Sequence, residues 1–195
     1  LSIDVRAQAI VKEALQKAIK TFSAIGGSGL ILDIKTGEVV AMVSLPDYDP
    51  HAVAKAKPKT RFNRNTLGVY EMGSTFKVFN TAMALDYGVV KLGDRYDVRK
   101  PLKISRYTIR DFHPERHPLT VADVFVKSSN IGSAKIALDV GGVRQKRFLK
   151  RLGLLDEIRL ELAERAHPLY PRQWRPINTM TISFGHGVAV TPMHL

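Results

Sequence analysis

A chain of 195 residues with 45% apolar content can bury one sizeable core, so a single domain over residues 1–195 is the default organisation. It contains no cysteine, which excludes disulfides and thiolate metal sites, and no apolar run approaches membrane-spanning length. A formal net charge of +12 raises a nucleic-acid reading, but no DNA-reading motif or aromatic interleaving accompanies the basic residues.

In chain order, Asp4 is placed to cap a helix whose apolar face runs Ile10, Val11, Ala14, Leu15, Ala18, Ile19 and Phe22. Gly26-Gly27-Ser28-Gly29 is expected to break it. Two strands follow, at about residues 30–34 and 39–44, joined by Lys35-Thr36-Gly37 as a hairpin turn. Residues 45–62 are rich in proline and lysine and read as a mobile loop near a cleft, with Asp47 and Asp49 as turn residues rather than a carboxylate dyad. Residues 95–112 alternate like short strands, and helices are expected to bracket Ser128-Ser129-Asn130 and run to about Leu154. Residues 155–178 resist assignment, and Arg172-Gln173-Trp174-Arg175-Pro176 reads as loop. A hairpin, a block of helices and later strands predict an α+β fold.

The basic residues gather at Lys55, Lys57, Lys59 and Arg61, and again at Arg144, Lys146, Arg147, Lys150 and Arg151. The second group decorates a helix whose apolar stripe includes Val143, Phe148 and Leu149. Both clusters read first as solvated faces, and second as contacts for anionic lipid headgroups or cell-wall polymer. His113 and His117 are four apart, but Pro114 and Pro118 spoil the helical geometry that a metal pair needs.

Ser74 and Lys77 carry the chemistry. Gly73-Ser74-Thr75-Phe76-Lys77 opens an amphipathic helix that Gly88 ends. The three-residue spacing puts hydroxyl and amine on one helical face, an activated nucleophile without histidine. Ten serines and many lysines would supply about one such match by chance, so the pair alone also reads as a helix cap beside a solvated lysine. A second motif, Ser128-Ser129-Asn130, lies at the turn between two helices. Together they resemble the signature of active-site serine penicillin-binding proteins and β-lactamases.

The resemblance extends along the chain in the family's order. Residues 32–42 followed by Pro46-Asp47-Tyr48-Asp49-Pro50 resemble the opening hairpin of class B penicillin-binding transpeptidase domains. Residues 62–72, Lys127-Ser128-Ser129-Asn130-Ile131-Gly132 and residues 181–192 resemble later segments. The run Phe184-Gly185-His186 is most similar to the division-specific branch, which cross-links septal peptidoglycan. The resemblance implies a β-lactamase/transpeptidase-like fold, a helical subdomain beside an antiparallel sheet. It also implies that Ser74 attacks the penultimate D-alanine carbonyl of a stem peptide and that Lys77 accepts its proton. Ser128 then relays a proton to the leaving amine, while Asn130 binds the substrate amide and orients Lys77. His186 is expected at the substrate edge of the cleft.

Two departures stand out. Val78 replaces the proline that usually follows the motif lysine. The third family motif, a lysine-serine/threonine-glycine strand, has no counterpart after the nucleophile, since Lys35-Thr36-Gly37 precedes it. The chain is therefore expected to be a partial domain without its C-terminal strands, short of one oxyanion donor and inactive by itself. The resemblance implies no metal and no cofactor, and as partners peptidoglycan stem peptides, β-lactam antibiotics and other division proteins. It places the parent protein on the periplasmic face of the inner membrane, held by an N-terminal anchor. The alternatives are a β-lactamase or β-lactam sensor of the same superfamily, a non-catalytic interaction module, and a basic nucleic-acid-binding protein.

Overall fold

The computed structural model describes residues 2–104 and 106–195, which fall into two compact units. The first comprises residues 2–70, 156–168 and 190–195. Helix α1 (Val5–Thr21) starts at Asp4, whose carboxylate accepts from the backbone N–H groups of Arg6 and Ala7. It lies on an antiparallel hairpin, β1 (Gly27–Leu32) and β2 (Val39–Leu45). Gln8 docks the helix to the strand by donating to the Met42 carbonyl at 2.7 Å and accepting from the Met42 N–H at 2.8 Å.

The helix ends at Thr21, ahead of the glycines expected to break it; Gly27 and Gly29 belong to β1 and let α1 approach it. A Cβ on Gly29 would stand 2.7 Å from Val11 Cγ1, and one on Gly27 would meet Leu15 and Ile19 at ordinary contact distance. Their cross-strand partners Val43 and Leu45 share that face and are buried. The contact stripe of α1 is thus Val11, Leu15 and Ile19, while Ile10 (67% exposed) and Phe22 (80% exposed) point to solvent, against expectation. Lys35-Thr36-Gly37 is the hairpin turn: Asp33 accepts from the Lys35 and Thr36 N–H groups, and Gly37 takes φ 77°. The stretch after β2 is more ordered than a plain loop. It holds a 3₁₀ turn (Pro50–Lys55) capped by Asp49 and a short helix α2 (Pro58–Arg61), and Asp47 pairs with Lys12 at 2.8 Å.

The second unit comprises residues 71–155 and 169–189. Its elements are α3 (Phe76–Asp86), then four short strands, β3 (Arg95–Tyr96), β4 (Leu102–Ile104), β5 (Tyr107–Ile109) and β6 (Leu119–Thr120). Strands β3 and β6 pair antiparallel, as do β4 and β5. Four helices follow: α4 (Val121–Val126), α5 (Asn130–Val140), α6 (Gly142–Arg151) and α7 (Pro176–Ile182).

Helix α5 is the hub, packed by α3, α4, α6 and α7. Its small residues admit these neighbours; a Cβ on Gly132 would stand 2.4 Å from Val124 Cγ2 of α4. Around it lies a core that includes Met83, Val98, Ile109, Leu119, Ile131, Phe148 and Met180. Thr120 and Asp123 form a capping box that starts α4, and Gly141 at φ 85° separates α5 from α6. Two expectations fail here. Val143 is 76% exposed, while its place on the inner face of α6 goes to Gln145, which donates to the Thr179 carbonyl and accepts from Trp174 Nε1. Residues 172–175 form the expected loop, but Pro176 opens α7, the first-turn position that suits a residue without an N–H.

Candidate active site

Every candidate site residue lies in the second unit. Ser74 sits in a 3₁₀ turn, Gly73–Thr75, that leads directly into α3. Gly73 takes φ 57°, and its N–H donates to the Gly185 carbonyl at 3.3 Å. Gly185 in turn, at φ 82°, comes so near that a Cβ there would stand 1.9 Å from the Gly73 oxygen. Two glycine turns, far apart in sequence, are thereby packed backbone to backbone beside Ser74.

The Ser74 side chain is exposed, whereas Lys77, one helical turn on, is only 2% exposed. Lys77 Nζ lies 3.2 Å from Ser74 Oγ, 2.8 Å from Ser128 Oγ and 2.6 Å from the Ser128 carbonyl. Burial strips water from the ammonium and pulls its pKa down to about 8, against the opposing pull of the Asp111 carboxylate. An amine in this state has an appreciable neutral fraction near pH 7. Its two N–H bonds then satisfy the Ser128 carbonyl and hydroxyl, and its lone pair is left for the Ser74 proton.

Ser128 is one of two non-glycine residues with positive φ among the described residues, at 56°. That conformation turns both its carbonyl and its hydroxyl toward Lys77, and Ser128 Oγ also reaches Ser74 Oγ at 3.4 Å. Ser129 is buried and caps α5 by accepting from the Gly132 N–H at 2.9 Å. Asn130 departs from the expected arrangement: its Nδ2 donates to the Arg110 carbonyl at 3.0 Å, and Lys77 is oriented by Ser128 instead. The structure thus brings Ser74, Lys77 and Ser128 into mutual contact, with Asn130 at the adjoining helix start.

Three neighbours of these residues had no signal in the sequence. Asp111 accepts from Ser129 Oγ at 2.7 Å and from the Ile131 N–H at 2.9 Å. Arg110 contributes the carbonyl that holds Asn130. Glu71 accepts from the Gly187 N–H at 2.7 Å and lies 3.1 Å from His186 Nδ1, and these contacts hold its carboxyl below the usual range. None carries a local motif, because each acts on residues at least 18 positions away. His113 and His117 belong to no metal-binding group of three or more ligands among the described residues. A cavity of about 650 Å³ in the first unit, lined by Lys12, Gln16, Ile19, Ile25, Pro46 and Tyr48 among others, contains no nucleophile–base pair.

Residues 27–195 match the penicillin binding protein transpeptidase domain. The chain belongs to the penicillin-binding protein transpeptidase family. It is similar to the probable peptidoglycan D,D-transpeptidase FtsI of Caulobacter vibrioides, with 43% identity over 195 residues, all of this chain and 33% of that protein. The peptidoglycan D,D-transpeptidase FtsI of Escherichia coli is 36% identical over 197 residues, again across the whole chain and 33% of that protein. The chain therefore spans about a third of the length of these relatives.

Among solved structures, one described as a peptidoglycan glycosyltransferase from Burkholderia ambifaria superposes with a TM-score of 0.87 at 30% identity, over all of this chain and 58% of that one. The transpeptidase domain of penicillin-binding protein 3 from Burkholderia pseudomallei gives 0.86 at 29% identity, over all of this chain and 55% of that one. The fold is accordingly the α+β transpeptidase-like fold of a class B penicillin-binding protein. Val78, where the family resemblance leads one to expect proline, lies in the first turn of α3 and is half exposed.

Proposed function

We propose that the full-length protein is a peptidoglycan D,D-transpeptidase of septal cell-wall synthesis, acting through a Ser74 acyl-enzyme, and that residues 1–195 are part of its transpeptidase domain. The observation that carries this reading is the buried Lys77 amine, within 3.2 Å of an exposed serine hydroxyl and held by Ser128. Ser74 Oγ adds to the carbonyl of the penultimate D-alanine of a stem peptide while its proton passes to Lys77. The terminal D-alanine leaves with a proton delivered through Ser128, which bridges Lys77 and Ser74. An amine of a second stem peptide then attacks the ester, forming the cross-link and restoring the Ser74 hydroxyl. The Ser74 N–H, in a first turn that has no intrahelical acceptor for it, supplies one oxyanion donor. Asn130, at the rim of the same turn, supplies a donor and an acceptor for the substrate amide.

The septal assignment rests on similarity to the FtsI proteins and on the Phe184-Gly185-His186 run. With it come β-lactam antibiotics as acylating inhibitors, other division proteins as partners, and a periplasmic site of action on the inner membrane. No helix among the described residues is long and apolar enough to cross a membrane, so an anchor of the full-length protein would lie in another segment.

The test is acylation of the full-length protein by benzylpenicillin, followed by peptide mass spectrometry. An adduct on the Ser74 peptide that is absent in Ser74→Ala is the expected result. An adduct that survives the substitution overturns the reading, and rapid hydrolysis of the acyl-enzyme would move it to a β-lactamase.

A further inference from the structure

We propose that Asp111 is a positioning residue of this site: its carboxylate clamps the Ser128-Ser129-Asn130 turn onto the start of α5 and so holds Ser128 against Lys77. One carboxylate oxygen takes the Ser129 hydroxyl at 2.7 Å and the other takes the Ile131 N–H at 2.9 Å. The Ser129 oxygen simultaneously accepts from the Gly132 N–H at 2.9 Å, and the neighbouring Arg110 carbonyl takes Asn130 Nδ2 at 3.0 Å. Four consecutive residues of the turn and helix are thus tied, directly or through Ser129, to one dipeptide at the end of β5. That dipeptide is itself fixed, because Ile109 beside it is buried in the core.

The turn requires such fixing. Ser128 adopts φ 56°, which residues with a Cβ rarely hold unless their surroundings enforce it. Its carbonyl and hydroxyl face Lys77 and Ser74, its N–H donates to the Phe125 carbonyl at 3.1 Å, and on its other side the chain is held through Ser129 and Asp111. Ser129 is buried, and its hydroxyl proton has Asp111 as its acceptor.

Asp111 also acts through its charge. Its carboxylate opposes the effect of burial on the Lys77 amine. The groups facing Lys77 from α3 and from the turn are neutral hydroxyls and a carbonyl. The charges at the end of α4 and in the preceding loop, Lys127 and Glu115, pair with each other at 2.7 Å. A single carboxylate therefore bears on the shape of the turn and, against the larger effect of burial, on the balance of Lys77 between ammonium and amine.

The kinetic part of the test rests on the acyl-enzyme reading, whereas a second readout does not. In the full-length protein, Asp111→Asn preserves the size and one acceptor of the side chain but removes its charge, and Asp111→Ala removes the clamp. The pKa of Lys77 is read by competitive acetylation with acetic anhydride across pH, scored on the Lys77 peptide by mass spectrometry. Acylation by the chromogenic β-lactam nitrocefin is followed over the same range. Asp111→Asn is expected to lower the Lys77 pKa and to move the rise of acylation toward lower pH, with a plateau near that of the parent. Asp111→Ala is expected to lower the plateau by about 10–100-fold through misplacement of Ser128. A Lys77 pKa unmoved in Asp111→Asn overturns the electrostatic role, and an unchanged plateau in a folded Asp111→Ala overturns the clamp. If Asp111→Ala fails to fold, Asp111→Gly carrying added acetate decides the clamp, because acetate restores the rate only where a carboxylate was needed. If the parent protein forms no Ser74 adduct, the acyl-enzyme reading fails, and the acetylation profile still decides whether Asp111 governs Lys77.

Discussion

Lys77 shows how little of a lysine's character lies in its own identity. An exposed lysine is an ammonium at neutral pH and has no lone pair to offer; here burial lowers the pKa to about 8. The sign of the pH dependence follows. The amine becomes competent as pH rises through about 8, so β-lactam acylation of the full-length protein should climb with pH and level off above that value. Stopped-flow rates that stay flat from about pH 6.5 to about 9.5 would rule Lys77 out as the base. Lys77→Arg keeps the charge but cannot release it, and should cost about 10²–10⁴ in acylation rate. The Ser74–Lys77 spacing was legible from sequence because three residues along a helix is a local relation. The contacts of Asp111 and Glu71 were not, since neither residue type nor spacing marks a carboxylate that meets a distant turn.

Between elements, glycines decide the geometry of the site more than any apolar residue does. Gly185→Ala would force a side chain into φ 82° and place its Cβ 1.9 Å from the Gly73 oxygen. The expected result is a loss of roughly 2 kcal/mol or more and slower acylation, because the displaced residue adjoins Ser74. A melting temperature equal to that of the parent would contradict this. The same logic explains where reading by periodicity went astray. Helix α1 presents more apolar residues than its hairpin covers, so the choice of Val11, Leu15 and Ile19 over Ile10 and Phe22 was made by the two strand glycines beneath it. On α6 the inner position went to a glutamine, since Gln145 bonds both Thr179 and Trp174 there.

Across the whole molecule, 30 basic residues face 18 acidic ones, and the net charge of +12 invites a binding role. Much of the α6 cluster is instead spent within the second unit. Lys146 lies over the rings of Tyr170 and Trp174 at 5.8 and 5.7 Å, Arg144 lies over Tyr87, and Arg151 pairs with Asp86 at 2.8 Å. Exposed pairs of this kind contribute little, so self-repulsion is the larger electrostatic effect. Raising the salt concentration from about 20 mM to about 300 mM should therefore raise the melting temperature by screening it. Differential scanning fluorimetry would show this directly, and a melting temperature that falls with salt would mean that the ion pairs outweigh the repulsion.

The sequence by itself determined the α+β class, the hairpin turn at Lys35-Thr36-Gly37, the helix start that carries Ser74 and Lys77, and the turn at Ser128-Ser129-Asn130. Each of these is written in neighbouring residues, through capping, helical spacing or glycine placement. Tertiary structure decided which helix faces are buried, that Ser128 rather than Asn130 orients Lys77, and that Asp111 stands behind the turn. These depend on which backbones approach one another over long separations, and on how much water that approach removes from a single amine. Local pattern encodes neither quantity.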